Sequence, residues 1–301
     1  MVSMRSVRRA AFALLLAALT GCVTEPLRGG DRAVSVGTAT RGYLYKGARL
    51  SDRGPGYVRL YPQDPTAYGT ETLVSAIQRA AAEVERAFPG GYPLTVGDLS
   101  RPRGGRHARH LSHRSGRDAD LLYYVRDQVG LSTSNRTWLP FGDYGLSVRA
   151  GRVLSFDTAR NWHLVRTLLL DEQARLKWLF CSSSIKSRLL RYAAAHESSA
   201  RAIARATWVL HEPSSGQRHD DHFHVRVGCR ADEAQLGCRE QRPFWPWLSD
   251  PARKVDEASG DSQADAQLLR WLLSDDHLYD RSHIARRSLG AAAQPAFVTT
   301  R

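Results

Sequence analysis

Residues 71–88 place Leu73, Ile77, Ala80, Ala81, Val84 and Phe88 on one stripe, the three- and four-residue spacing of an amphipathic helix, and Pro89-Gly90-Gly91 ends it. The period then shortens. Residues 92–99 (YPLTVGDL) alternate and read as a strand that leads into a loop rich in glycine, arginine and histidine, and 118–125 (DADLLYYV) read as the strand that leaves it. A helical pattern returns over 161–170 through Trp162, Val165 and Leu169, with Asn161 as its expected N-cap and Asp157 too far upstream to serve. Residues 176–181 (LKWLFC) follow as a buried strand, 185–196 and about 197–207 as helices, and 222–227 (HFHVRV) as an alternating strand. Before the first helix, Gly42, Gly47 and Gly54-Pro55-Gly56 mark loops with a short strand or two, and 243–247 (PFWPW) read as a packed turn. Strands and helices are mixed without a regular βαβ repeat, and no glycine-rich phosphate loop follows a strand. The expected class is α+β, a small antiparallel sheet flanked by helices.

The N-terminus departs from this pattern. Arg5, Arg8 and Arg9 precede an apolar run over 10–20 (AAFALLLAALT), and Leu19-Thr20-Gly21-Cys22 follows, which is the anatomy of an export signal. A small residue before a cysteine at this point resembles a bacterial lipobox, in which Cys22 is lipidated and becomes the new N-terminus; an ordinary secretory signal that contains a cysteine is the other reading. The expected organisation is a lipoprotein signal over 1–21, a tether over 22–40, a folded domain over 41–248 and a polar peripheral tail over 249–301, partly disordered. No later run reaches the roughly 20 apolar residues of a membrane span, which excludes a polytopic membrane protein.

A composition of 42% hydrophobic and 24% charged residues is that of a soluble globular body. The formal charge of +13, from 43 Lys+Arg against 30 Asp+Glu, predicts attraction to nucleic acid, anionic lipid or an acidic wall polymer. Export removes nucleic acid from that set. The expected location is the cell envelope, in the periplasm, with membrane contact through the Cys22 lipid; Val23, where an aspartate signals inner-membrane retention, points to outer-membrane sorting. No obligate protein partner is implied. Cys229 and Cys238 lie nine apart across a polar segment, a spacing suited to a small disulfide loop in an oxidising compartment. Cys181 is then unpaired and reads as a small buried hydrophobe.

Of eleven histidines, His107, His110 and His113 stand in the first loop and His219, His222 and His224 in HDDHFH. Gly116 permits a turn between His113 and Asp120, so a loop imidazole and a strand carboxylate can converge; His222 and His224, two apart on a strand, share a face. Zinc suits two imidazoles and one carboxylate, and three protein ligands with an open fourth position activate a water whose pKa falls to about 7. Either motif alone also fits satisfied or solvated histidines; the combination in an exported chain favours a zinc hydrolase with its site on the sheet face. Asp118 reads as structural, pointing away from the metal. Arg106, Arg109, Arg114 and Arg117 crowd the loop, either to bind substrate carboxylates or as solvated surface charges. Glu212, Asp220 and Asp221 stay outside the predicted site, as loop acids that could instead orient a histidine.

Residues 96–121 (VGDLSRPRGGRHARHLSHRSGRDADL) with HDDHFHVRVGC over 219–229 resemble the penicillin-insensitive murein endopeptidases, part of the wider lysostaphin, D-Ala-D-Ala metallopeptidase and hedgehog fold group. The pattern GGR, HxSHxxGxDxD and HxxHxHVRxxC occurs in order and at similar spacing, YGTETLVSAIQRAAAEV is similar to the family's preceding helix, and the likeness covers roughly residues 33–240. It implies that His113, Asp120 and His224 are zinc ligands, that His222 and His219 are catalytic, and that His110 is a supporting or substrate-binding residue. It implies one Zn2+, because 148–156 (VRAGRVLSF) lacks the Asp and His of a peripheral second site, and a Cys229–Cys238 disulfide. The implied reaction is zinc-dependent D,D-endopeptidase hydrolysis of D-alanyl-meso-diaminopimelyl cross-links in peptidoglycan, without a serine for β-lactams to acylate. A D,D- or L,D-carboxypeptidase on the same fold, and a catalytically silent zinc-holding wall-binding lipoprotein, are the competing readings.

Overall fold

The computed structural model describes residues 32–248 except 150 and 215; the predicted signal, Cys22 and the tail beyond 248 lie outside the described residues. Its centre is a seven-stranded mixed sheet. In chain order the strands are β1 (Arg53–Gly54), β2 (Tyr57–Arg59), β3 (Leu94–Val96), β4 (Asp118–Leu122), β5 (Leu176–Phe180), β6 (Leu210–His211) and β7 (His222–Val227), arranged β6-β5-β7-β4-β3-β2-β1. The β5–β6 and β2–β3 pairs are parallel and the others antiparallel. The expected small antiparallel sheet is therefore corrected to a larger, mixed one. The strands missed in this central sheet are two- and three-residue pieces, too short to show a period of two. A separate four-stranded antiparallel sheet holds Ser132–Thr133, Val125–Arg126, Arg152–Phe156 and Leu146–Arg149.

Alternation decides which face of the central sheet is dry. In β4 and β7 the residues Ala119, Leu121, Phe223 and Val225 join one hydrophobic core with Leu73, Ile77 and Val84 of helix α1 (Glu71–Ala87). Helix α1 packs on α2 (Thr158–Leu170), and α2 packs on α3 (Ser183–His196) and α4 (Ala200–Val209). Each such buried Leu, Val or Phe contributes about 1.5–3 kcal/mol. The opposite face of the same two strands carries Asp118, Asp120, His222, His224 and Arg226, so the helical layer supplies the rigidity and the other face is left for chemistry. Among the described residues no helix is long and apolar enough to cross a membrane.

Caps set the helix starts. Thr70 accepts the Leu73 N–H at 3.3 Å with its Oγ1 and opens α1. Thr70→Ala is expected to cost about 1 kcal/mol in urea unfolding with no change in the transition slope. Helix α2 begins three residues earlier than its periodicity suggests, and Asp157, not Asn161, is its cap, accepting from Arg160 N. Asn161 is instead wholly buried and bonds the Tyr124 backbone in both directions, at 3.1 and 2.8 Å.

The segment assigned to the end of the tether is part of the fold: Val34–Gly37 pairs antiparallel with Gly42–Tyr45, and Ala33 and Val34 are buried. Gly37 N–H bonds Gly237 O, joining this hairpin to the Cys229–Cys238 disulfide loop, where helix α5 (Ala231–Gln235) places Glu233 to accept from Ser35 N. The remaining described chain straps β5: Trp245 and Trp247 donate to the Lys177 and Leu176 carbonyls. Beneath the strap, Glu240 pairs with Arg117 at 2.9 Å and Lys177 at 3.2 Å, both cations being only 2% exposed. Cys181 is the free cysteine among the described residues; burial pushes its thiol up to about 12, as expected of an inert hydrophobe.

Candidate active site

Strands β4 and β7 pair in a register that sets His224 opposite Asp120, and Arg226 opposite Asp118. The loop before β4 then returns His113 to the same spot. Its backbone is left-handed at His113 (φ 60°) and at Gly116 (φ 76°), and the Asp118 Oδ2 accepts the His113 N–H at 3.2 Å. His219 is also left-handed (φ 52°), so two site histidines hold a conformation that costs about 1–2 kcal/mol each in a side-chain-bearing residue.

His113 Nε2 lies 3.3 Å from Asp120 Oδ1, His224 Nδ1 lies 3.2 Å from the same oxygen, and the two nitrogens are 3.4 Å apart. These edges match the roughly 3.3 Å between ligand atoms of a tetrahedral ion bound at about 2.0–2.1 Å. Asp120 is wholly buried, and neither carboxylate oxygen has a hydrogen-bond partner. An orphaned anion among imidazoles is what a cation would satisfy, so the residues fit a zinc ion. The His224 nitrogen is directed for it. Asp118 Oδ1 is held at 2.5 Å from Arg226 Nε and 3.1 Å from His224 Nε2. That anionic acceptor puts the His224 proton on Nε2 and leaves the Nδ1 lone pair facing Asp120. Asp118 thus lies on the site face, correcting its expected outward direction: residues two apart on a strand share a face.

His222 donates from Nδ1 to Asp221 Oδ1 at 2.5 Å and turns Nε2 toward Asp120 Oδ1 at 3.3 Å. Burial disfavours its charge, but Asp120 and Asp221 outweigh burial and push it up to about 10. Burial, with the neighbouring His224 and His222, pulls His219 down to about 3. His219 packs 5.1 Å from His222 between ring centroids, and Trp138 walls the other side of His222 at 5.0 Å. His110 stacks on His113 at 4.2 Å and contacts Asp98 Oδ2 at 2.9 Å and Asp120 Oδ2 at 3.3 Å. His110, His113, Asp120, His219, His222 and His224 are therefore gathered at one place.

Three neighbours escaped the sequence reading, and a fourth, Asp221, was weighed there as an acid that could orient a histidine but was left outside the site. Asp98 is wholly buried; burial would raise its carboxyl, but hydrogen bonds from His110, Arg109 and Thr66 hold it well below the usual carboxylate range. Its place just after β3, opening the histidine loop, was the available signal. Asp221 and Arg226 flank the HxH pair, while Trp138 comes from a distant loop with no local mark. The loop arginines divide: Arg109 is spent on Asp98 and Asp64, and Arg117 on Glu240. Groups of histidines and carboxylates able to hold a metal recur here, including His219, His222 and His224 and also His110, His113 and Asp120.

A buried carboxylate ringed by imidazoles on one face of the sheet is a donor set that could hold a metal ion. The family model for penicillin-insensitive murein endopeptidase matches residues 35–249, and the chain belongs to that family. Similar relatives bearing that name include a Haemophilus influenzae protein, 27% identical over 227 residues (73% of this chain, 72% of the relative). One from Klebsiella pneumoniae is 26% identical over 222 residues (73% and 74%), and one from Escherichia coli is 24% identical over 230 residues (73% of each).

Proposed function

We propose that this chain is a zinc-dependent murein D,D-endopeptidase that hydrolyses D-alanyl-meso-diaminopimelyl cross-links. The supporting observation is the triangle of His113 Nε2, Asp120 Oδ1 and His224 Nδ1 around orphaned carboxylate oxygens. In this reading those three residues hold one Zn2+, which supplies Lewis acidity and a water acidic enough to attack near neutral pH.

The chain's own residues do the rest. Asp118 keeps His224 in its ligating tautomer, and His110 braces His113 and Asp120. His222, oriented by Asp221, would supply a proton from Nε2 to stabilise the developing oxyanion and then protonate the leaving amine. His219, held neutral near pH 7 by burial and by His224 and His222, would act beside His222 as a hydrogen-bonding partner of the substrate and not as a strong base. Trp138 shields this proton transfer from bulk water on the His222 side.

The same reading places the protein in the cell envelope. Export removes residues 1–21, Cys22 carries the lipid that anchors the domain to the outer membrane, 249–301 are peripheral, and neither nucleic acid nor an obligate protein partner is involved. Incubating the protein with purified peptidoglycan, with and without a zinc chelator, tests the activity by the masses of the released muropeptides. Cross-linked dimers should become monomers only without chelator. Shortened stems with intact dimers indicate a carboxypeptidase, and unchanged muropeptides despite bound zinc indicate a wall-binding protein.

A further inference from the structure

The loop that carries His107, His110 and His113 begins with a row of arginines. Arg101, Arg103 and Arg106 are exposed, and among the described residues their side chains have no hydrogen-bond or ion-pair partner. Beside them runs the strand Gly42–Tyr45, with Gly42 and Leu44 buried and Tyr43 and Tyr45 turned outward, 68% and 49% exposed. The two stretches form one surface. Leu44 N–H donates to Arg103 O at 3.0 Å, and Gly105 N–H is shared between Gly42 O at 3.2 Å and Arg114 O at 2.8 Å. Gly104 has φ 63°, and a Cβ there would stand 2.1 Å from the Arg114 carbonyl oxygen, so only glycine permits this approach. The ledge is thereby fixed to the residue that follows His113. Neither 38–47 (TATRGYLYKG) nor 101–106 (RPRGGR) contains an acid.

We infer that this ledge is a docking surface for the uncut murein polymer, separate from the groove in which the bond breaks; the inference rests on the murein reading above. Charge complementarity carries it. Peptide stems present free carboxylates, and unpaired guanidinium forks bind carboxylates in bidentate geometry. Exposed tyrosines beside them offer flat amphipathic faces to the saccharide rings. An anionic bilayer has the same charge, but a membrane-seated surface inserts apolar side chains, and here Leu44 is buried at 2% exposure.

The test uses the full-length protein and its double variant Arg101→Ser/Arg103→Ser. Three quantities are compared: co-sedimentation with insoluble sacculi in chelator, binding to phosphatidylglycerol/phosphatidylethanolamine vesicles, and turnover of a soluble cross-linked muropeptide dimer. Sacculus binding should weaken about fivefold at low salt. The difference should vanish near 1 M salt, where the screening length is about 3 Å, while dimer turnover stays unchanged. Undiminished sacculus binding overturns the inference, as does a loss confined to the vesicles, which makes the ledge a membrane face. A parallel fall in dimer turnover also overturns it, because the arginines then belong to the cleavage groove. If the unmodified protein leaves the dimer intact yet the sacculus difference is seen, the endopeptidase reading fails and the docking surface stands.

Discussion

His113→Ala should abolish stoichiometric zinc binding and lower muropeptide cleavage by roughly three orders of magnitude or more, since a catalytic ion supplies several kcal/mol of transition-state stabilisation. The fold should survive, because the substituted side chain lies in the loop before β4 and not in the core beneath the sheet. Metal content by mass spectrometry of the desalted protein, with circular dichroism as the folding control, reads the two effects separately. Activity that persists in the variant sinks the assigned ligand set. Asp118→Asn gives a graded companion. It leaves all three ligands in place but weakens the acceptor that orients His224, and a loss of about 10–100-fold in zinc affinity is expected.

Glu240→Ala should lower the unfolding free energy by about 3–5 kcal/mol, the largest stability loss expected of a residue outside the site. The carboxylate stands between Arg117 and Lys177 and also accepts the Cys229 N–H at 3.0 Å; without it two buried cations face each other with no counter-charge. Burial alone would raise the Glu240 carboxyl, but Arg117 and Lys177 outweigh burial and hold it below its ordinary 4.5. A carboxylate with a depressed native pKa stabilises fully above its unfolded value and loses that contribution as pH falls through the native one. The gap between Glu240→Ala and the unmodified protein, measured by urea unfolding, should therefore be widest near pH 7 and narrow below about pH 4.5. A gap that stays constant into strong acid would show that packing, not charge, sets the loss.

The elements with many repeats of their period were legible in the sequence: α1 was bounded to within a residue, and β7 fell on its predicted residues. The site was legible for a related reason. Two histidines at strand spacing, and a histidine separated from an acid by a turn glycine, are short-range patterns that keep their meaning once folded. What escaped depends on long-range contact. The edge strands β1 and β6 hold two residues each and exist only because a neighbour pairs with them. Trp138 reaches His222 from a loop 84 positions earlier in the chain. Glu240 gives no local sign that it neutralises Arg117 and Lys177. Asp118 was the opposite case, since strand periodicity alone places it beside Asp120 and the expected direction was a misapplication of that rule.

The pairing of β4 with β7 unites His113 and His224 across 111 positions. An unfolded chain has two separate histidine-rich patches and no catalytic centre, so hydrolytic competence arrives with the slowest kind of contact, a non-local strand ladder. The unfolded polypeptide is thus silent as a hydrolase. A slip of one residue by β7 in that ladder would turn His222 and His224 into the hydrophobic layer, away from Asp120, and bring Phe223 and Val225 out. Correct register and the power to cut are acquired in the same event, so misregistered molecules are dead rather than indiscriminate.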